Sequence, residues 1–393
     1  MSTTNNISEF ASKTTATMKA IFQRQQNISS ILSKVFIVLI VLISIFWFSN
    51  KLTLKNRNCA NIESIYSDTI NKISNKSRSD AEKNSLRDFT IKAAYNCCAT
   101  GQFKNDYVGT CALKNVIAQG ARFLDFEIYT LNDQPIVATS SSSDVTLKET
   151  YNYITFSNVI DVIDKYAFSG GTPDGSVGCP NPKDPLILHF RIKTDIASTF
   201  NKIADILKTK FESSKKLLGK EYSYEYGGNN LGALPLCTFL NKIIIIVNTD
   251  YTTVNIMDTD LYEFTNARSG SIYFRLLKEY DVKYCDDTSE LIEYNKKYMS
   301  ICVPDLGSSN NNINPGTAII LGCQIVALNY PNFDSYLEYY TQLFDDAGTA
   351  FILKNNNLLY NPETIDTNTI KKADPQHNYD KRSYSGKFGN FEH

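Results

Sequence analysis

The run "LILHFRI" (186–192) sets His189 two residues before Arg191. In an extended strand both side chains point to one face, with Leu188 and Phe190 on the other. A proton carrier beside a fixed cation is a pairing that could do acid–base or anion-holding chemistry. The chain has only three histidines, however, and His377 and His393 lie in a polar C-terminal tail. A mechanism needing two histidines in one folded pocket is therefore short of parts. The competing reading of His189, a hydrogen-bonded core residue of its strand, carries more weight than catalysis. Cys97 and Cys98 in "YNCCAT" offer thiols, but no histidine stands near them in sequence to raise a thiolate, so packing is the expected role.

The elements that must position these residues alternate in type. Short β-rich runs ("ARFLDFEIYTL", "PLILHFRI", "NKIIIIVN", "GCQIVALNY") are separated by helical stretches ("TFSNVIDVIDKYAF", "STFNKIADILKTKFESS", "TSELIEYNKKYMS"). Strands that are nearly continuous in apolar residues are buried on both faces, as inside a parallel α/β sheet. Some 270 residues of such alternation, from Asp88 to Tyr360, fit one (β/α) barrel in length. "SGGTPDGSVGCPNPKD" (169–184) reads as a loop decorating one barrel end. The Asn-rich stretches 310–314 and 355–357 are given no function. From Asn361 the apolar periodicity is lost, and 361–393 is expected to be a mobile tail.

Ahead of the barrel, Val35 to Ser49 carries no charge and is almost all Val, Ile, Leu, Phe and Trp. Fifteen residues reach only about 23 Å of a core about 30 Å thick. Extending the segment to 31–54, with Lys34 and Lys51 snorkelling outward, closes the gap, and Trp47 suits the interface. The expectation is one transmembrane helix over 31–54, a polar segment over 1–30 and a stalk or first helix over 55–87. Lys13, Lys19, Arg24 and Lys34 precede the apolar run and Lys51, Lys55 and Arg57 follow it, so the charge rule leaves orientation open.

Formal charge is -1, with 40 basic and 41 acidic residues, which excludes a basic nucleic-acid binder. Nine cysteines without a C-x-x-C pair exclude a zinc framework. Most are expected to be buried free thiols, with one disulfide compatible with an oxidising compartment.

"GCQIVALNY" (322–330) and "IEYNKKYMSICVPDLGSSNNN" before it resemble the Y half of phosphoinositide-specific phospholipase C. "QGARFLDFEIY", and "PIV" followed by "ITFSNVIDVIDKYAF", resemble the X half, in the family's order. The resemblance implies a TIM-like (β/α) barrel of the phospholipase C-like phosphodiesterase type, with an X-like half over 88–250 and a Y-like half over 251–360. It also implies a chemistry: the inositol 2-hydroxyl attacks the phosphodiester, two histidines serve the transition state, and calcium is held by an Asn and three carboxylates.

Carried over by resemblance, the family's "S-H-N-T" is "A-Y-N-C" here. Tyr95 replaces the first histidine and Asn96 keeps the metal-ligand asparagine. Asp125 and Glu127 keep the acidic pair, exchanged in length. "T-S-S-S" puts Ser141 at the second histidine, where a one-residue slip would still find no histidine. Arg191 stands for the last carboxylate ligand. Ile246 and Asn248 replace phosphate-gripping lysines, and Ile301 and Val303 replace an Arg and a Tyr. Arg191 is expected to pair with Asp125 and Glu127 in calcium's electrostatic place, as in metal-free bacterial relatives, which keep both histidines; solvent exposure of Arg191 is the alternative. No cofactor is expected, because Arg191 opposes calcium.

The reading is a membrane-anchored, catalytically inactive barrel serving as a binding, scaffold or structural membrane protein. Its partners would be the lipid membrane, a phosphoinositide head group or a protein, in a viral or host-cell membrane. The alternative is an active phosphodiesterase working by a calcium-independent mechanism.

Overall fold

The apolar runs become buried strands. The computed structural model describes residues 2–67, 72–144, 147–171, 178–307, 310–362 and 381–392, with side chains from residue 12 onward. The strands are β1 (Phe89–Ala94), β2 (Phe123–Leu131), β3 (Gln134–Ala138), β4 (Ile154–Thr155), β5 (Leu186–Ile192), β6 (Ile243–Asn248), β7 (Ala267–Arg268), β8 (Phe274–Lys278), β9 (Met299–Val303), β10 (Ile325–Leu328), β11 (Phe351–Leu353), β12 (Ser383–Gly386) and β13 (Gly389–Glu392). Strands β7-β6-β5-β2-β1-β10-β9-β8 lie side by side in that order, all parallel. Among the described residues no ladder joins β7 to β8, so the ring is a nearly closed α/β barrel. The resemblance-based fold assignment holds.

The helices cover the outside for the usual amphipathic reason. In Phe156–Tyr166 the buried residues Phe156, Val159, Ile160 and Ile163 form one stripe at helical spacing, and the Thr155 side chain caps the start by accepting from Asn158 N. Phe156 meets Phe190 edge-on at 5.3 Å, and Phe126 lies beside Phe190. This outward face of β2 and β5 leaves Asp125, Glu127, His189 and Arg191 to the barrel interior. Register then sets Asp125 beside His189 and Glu127 beside Arg191.

The N-terminal helix differs from expectation. It runs unbroken from Ser2 to Ser67, so the 31–54 segment is its middle and no separate stalk begins at 55. The chain has neither Gly nor Pro before residue 101, so nothing local stops a helix there. Its distal end is tied to the barrel. Cys59 is disulfide-bonded to Cys111, Asn58 Nδ2 donates to Asp106 Oδ1 (2.9 Å), and Tyr66 Oη donates to Tyr330 O (2.8 Å). Nearer the apolar part, Lys51 Nζ reaches Asn105 O and lies over the Tyr151 ring. Asn105, Asp106, Tyr151 and the start of the helix Thr110–Ala118 follow the C-terminal ends of strands, so the long helix leaves the barrel on its mouth side. The stretch from Ile31 to Phe48 is exposed and apolar, and this one helix is long and apolar enough to cross a membrane.

Two further expectations change. The Asn-rich stretch is structural: Asn312 Nδ2 donates to Asn332 O (2.7 Å), and Asn312 Oδ1 accepts from Asn329 N (2.6 Å), clipping the loop after β9 to the end of β10. Residues Tyr360–His393 form a unit of their own, in which β12 and β13 pair as a hairpin over the described part of the expected tail. Residues 363–380 and His393, and with them the tail histidines, lie outside the described residues.

Candidate functional site

The strand register converges four charged side chains at the barrel mouth. Arg191 is 2 % exposed, so the solvent-facing alternative is excluded. Its Nε donates to Asp125 Oδ1 (2.9 Å) and its Nη2 to Asp125 Oδ2 (2.7 Å), a bidentate pair. Nη1 donates to Glu127 Oε1 (2.9 Å), and Nη2 also reaches Asn96 Oδ1 (2.9 Å). Asn96 follows β1 with φ +44°, a left-handed conformation that Asn tolerates better than most residues. That twist turns its own N–H onto Asp125 Oδ2 (3.0 Å) and its Nδ2 onto Glu127 Oε1 (3.2 Å).

Every acceptor site of the acidic pair is taken. Asp125 receives two bonds from Arg191, one from the Asn96 amide and one from His189 Nδ1 (2.7 Å). Glu127 Oε2 accepts from Tyr129 Oη (2.7 Å) and Ser140 N (3.1 Å), with Lys193 Nζ at 3.2 Å. Burial raises the carboxyl of Asp125, but Arg191 and the His189 hydrogen bond outweigh it and hold the group well below the usual range. Burial likewise raises Glu127, and Arg191 and Lys193 reverse the sign. Two carboxylates thus face two cations in a dry, neutral cluster.

Calcium does not fit the residues present. It needs six to eight oxygen donors, and the oxygens of Asn96, Asp125 and Glu127 already surround a guanidinium. Entry of the ion would require Arg191 to leave a site in which it makes four hydrogen bonds.

Neither Tyr95 nor Ser141 is placed to work as acid or base at neutral pH. The Tyr95 ring is sandwiched between Phe103 (5.5 Å between centroids) and the Arg191 guanidinium (4.4 Å), and burial pushes its phenol up, away from neutrality. Ser141 turns from the barrel: its N donates to Glu149 Oε2 (2.7 Å), as does its hydroxyl, and Glu149 is paired with Lys104. His189 is fully buried. Because Asp125 is ionised and can only accept, Nδ1 carries the proton, and Nε2 is left to accept from Ser269 Oγ (2.8 Å). With both nitrogens engaged it acts as a positioning residue for Asp125. Cys97 and Cys98 are buried, and burial raises both thiols.

Ile246 and Ile301 are fully buried below the cluster, and Val303 lines a mouth cleft of about 260 Å³ together with Tyr95, Arg191, Asp250, Tyr251 and Lys278. Asn248 is spent on Asp250 Oδ2 (2.8 Å). Lys278 lines this cleft and Lys193 is buried against Glu127, although neither occupies an expected position. Lys193 was legible in principle, since it continues the 189–191 inward alternation one step past the strand end. Glu149 and Lys104 carried no sequence signal, because loops bring them in.

Comparison with known proteins places this geometry. Residues 255–357 match the family model described as phosphatidylinositol-specific phospholipase C, Y domain. No curated protein matches the whole sequence significantly. Among solved structures, L. pealei PLC21 superposes with a TM-score of 0.57 at 17% identity, covering 70% of this chain and 38% of that one. S. officinalis PLC21 gives 0.55 at 16% identity, covering 72% and 38%. The chain therefore spans well under half the length of these two proteins, and the likeness is one of fold. Residues 255–357 thus carry the match to the phosphatidylinositol-specific phospholipase C Y domain, and the barrel shares its fold with the two PLC21 structures.

Proposed function

We propose that the protein is a membrane-anchored phospholipase C-like barrel without catalytic activity, acting at a membrane as a binding, scaffold or structural component. The observation that carries this reading is the saturation of Asp125 and Glu127. With Arg191, His189, Asn96, Tyr129 and Lys193 filling their acceptor sites, neither is left to take a proton or to hold a metal. General acid–base groups contribute about 10²–10⁴-fold each, and Tyr95 and Ser141 replace both. The long helix supports the anchor: from Phe48 to Asn58 it covers only about 15 Å, so a bilayer around 31–48 lies close to the mouth loops that Lys51 and Asn58 touch. A lipid head group or a protein presented at that surface would meet Lys278 and Tyr251 first.

The alternative, calcium-independent cleavage, would draw on Arg191 and Lys278, which line the mouth cleft. Full-length protein in detergent, incubated with phosphatidylinositol with and without calcium, separates the two. Product release no greater than that of Asp125→Asn/Glu127→Gln supports the inactive reading. Release that the double variant abolishes overturns it.

A further inference from the structure

Which side of the membrane holds the barrel is left open by the charges flanking the span, but one feature of the folded domain bears on it, the Cys59–Cys111 disulfide. It joins the helix that carries the span to the barrel itself, with the two Cα atoms 5.8 Å apart. Structural disulfides of this kind persist in oxidising compartments and not in a reducing cytosol. Of the seven free cysteines, Cys97, Cys98, Cys179, Cys302 and Cys323 are buried, and burial raises the thiols of Cys97, Cys98, Cys302 and Cys323, which keeps them protonated and slow to oxidise; Cys237 and Cys285 are partly buried.

Asn-x-Ser/Thr triplets lie on both sides of the apolar stretch, Asn6-Ile7-Ser8 and Asn27-Ile28-Ser29 before it and Asn75-Lys76-Ser77 after it, so they choose no side by themselves and the disulfide selects the third. Asn75 is exposed, on the connection between the long helix and β1. Its Oδ1 accepts from Lys183 N (2.7 Å), and its Nδ2 can carry a substituent without loss of that bond.

We propose that the barrel lies on the non-cytosolic, oxidising side of the membrane with residues 1–30 in the cytosol, and that Asn75 is an N-glycosylation site there. In the transfer, Asn75 Nδ2 bonds to the anomeric carbon of a lipid-linked oligosaccharyl diphosphate. The bond from that carbon to the diphosphate oxygen breaks, the lipid diphosphate leaves with the electron pair, and the amide nitrogen gives up one proton. No oxidant enters this step. The disulfide needs a separate thiol oxidant of the lumen, a protein disulfide of the isomerase type: it takes up two electrons and two protons as Cys59 and Cys111 join.

The proposal rests on the reading of the long helix as a membrane anchor, and the experiment separates the two. Full-length chain is synthesised with sealed microsomes, then treated with protease, with an N-glycan amidase, or with alkaline carbonate. The expected result is a slower-migrating species that the amidase collapses and that Asn75→Gln abolishes, with Asn6→Gln/Asn27→Gln unchanged and the barrel protected until detergent is added. A shift that follows Asn6 and Asn27, digestion of the barrel in intact vesicles, or no shift at all overturns the proposal. A protected, Asn75-glycosylated chain that carbonate releases leaves the proposal standing and defeats the anchor instead.

Discussion

Arg191 lies against the face of Tyr95, its guanidinium carbon 4.4 Å from the ring centroid, while its edge grips Asp125 and Glu127. Tyr95 thus forms one wall of a cage around Arg191, whose buried guanidinium is held by a π-face as well as by two carboxylates.

Breaking that cage from the cation side should be severe. We expect Arg191→Met to leave Asp125 buried without its cation and Glu127 with Lys193 alone, and to lower stability by about 3–5 kcal/mol, measured by denaturant unfolding. A loss under about 1 kcal/mol would mean that Lys193 takes over the pairing.

Calcium should leave the protein unmoved. The melting temperature of the wild type is expected to be the same with millimolar calcium or with chelator, because the donor oxygens are engaged. A calcium-dependent rise would show that the ion displaces Arg191.

Acid should unfold the domain through the same cluster. Asp125 and Glu127 have folded pKa values below their unfolded values near 3.9 and 4.3, so their contribution is complete above about pH 5 and is lost as pH falls through the folded values. The denaturation midpoint should therefore drop steeply below about pH 5, and Arg191→Met should flatten that drop. An unchanged slope in the variant would assign acid sensitivity elsewhere.

Lys92 predicts a rise in stability at alkaline pH. It sits fully buried on β1 with no hydrogen bond to its Nζ, near Asp345 and the Phe344 ring, and burial lowers its pKa to about 8. Between about pH 8 and 10.4 the unfolded chain binds the extra proton, so stability should rise with pH across that window. Lys92→Met should remove the rise and raise stability at pH 7, by roughly 3 kcal/mol at most.

Cutting the tie between helix and barrel should cost stability as well. The Cys59–Cys111 bond spans a separation of 52 residues, for which the chain-entropy account gives about 4 kcal/mol. Cys59→Ser should lose an amount of that order in unfolding under non-reducing conditions. An unchanged midpoint would mean that Asn58 and Tyr66 hold the helix unaided.

The barrel strands were legible because "LILHFRI" and "NKIIIIVN" are apolar on both faces, and only a buried parallel sheet accommodates such runs. The pairing of Arg191 with Asp125 and Glu127 was expected from the resemblance, and strand parity adds only that residues two apart share a face. Parity could not say how many other donors would arrive. Saturation of the acidic pair by Asn96, His189, Tyr129 and Lys193 depends on the register between β2 and β5 and on the left-handed turn at Asn96, both set by packing across the ring. The long helix shows the same division. Its apolar third is evident from composition, whereas the weak periodicity of residues 55–67 leaves them open as a stalk or a first helix. They stay helical because Cys59 and Tyr66 find partners more than fifty residues away, and a contact of that range leaves no local mark on the chain.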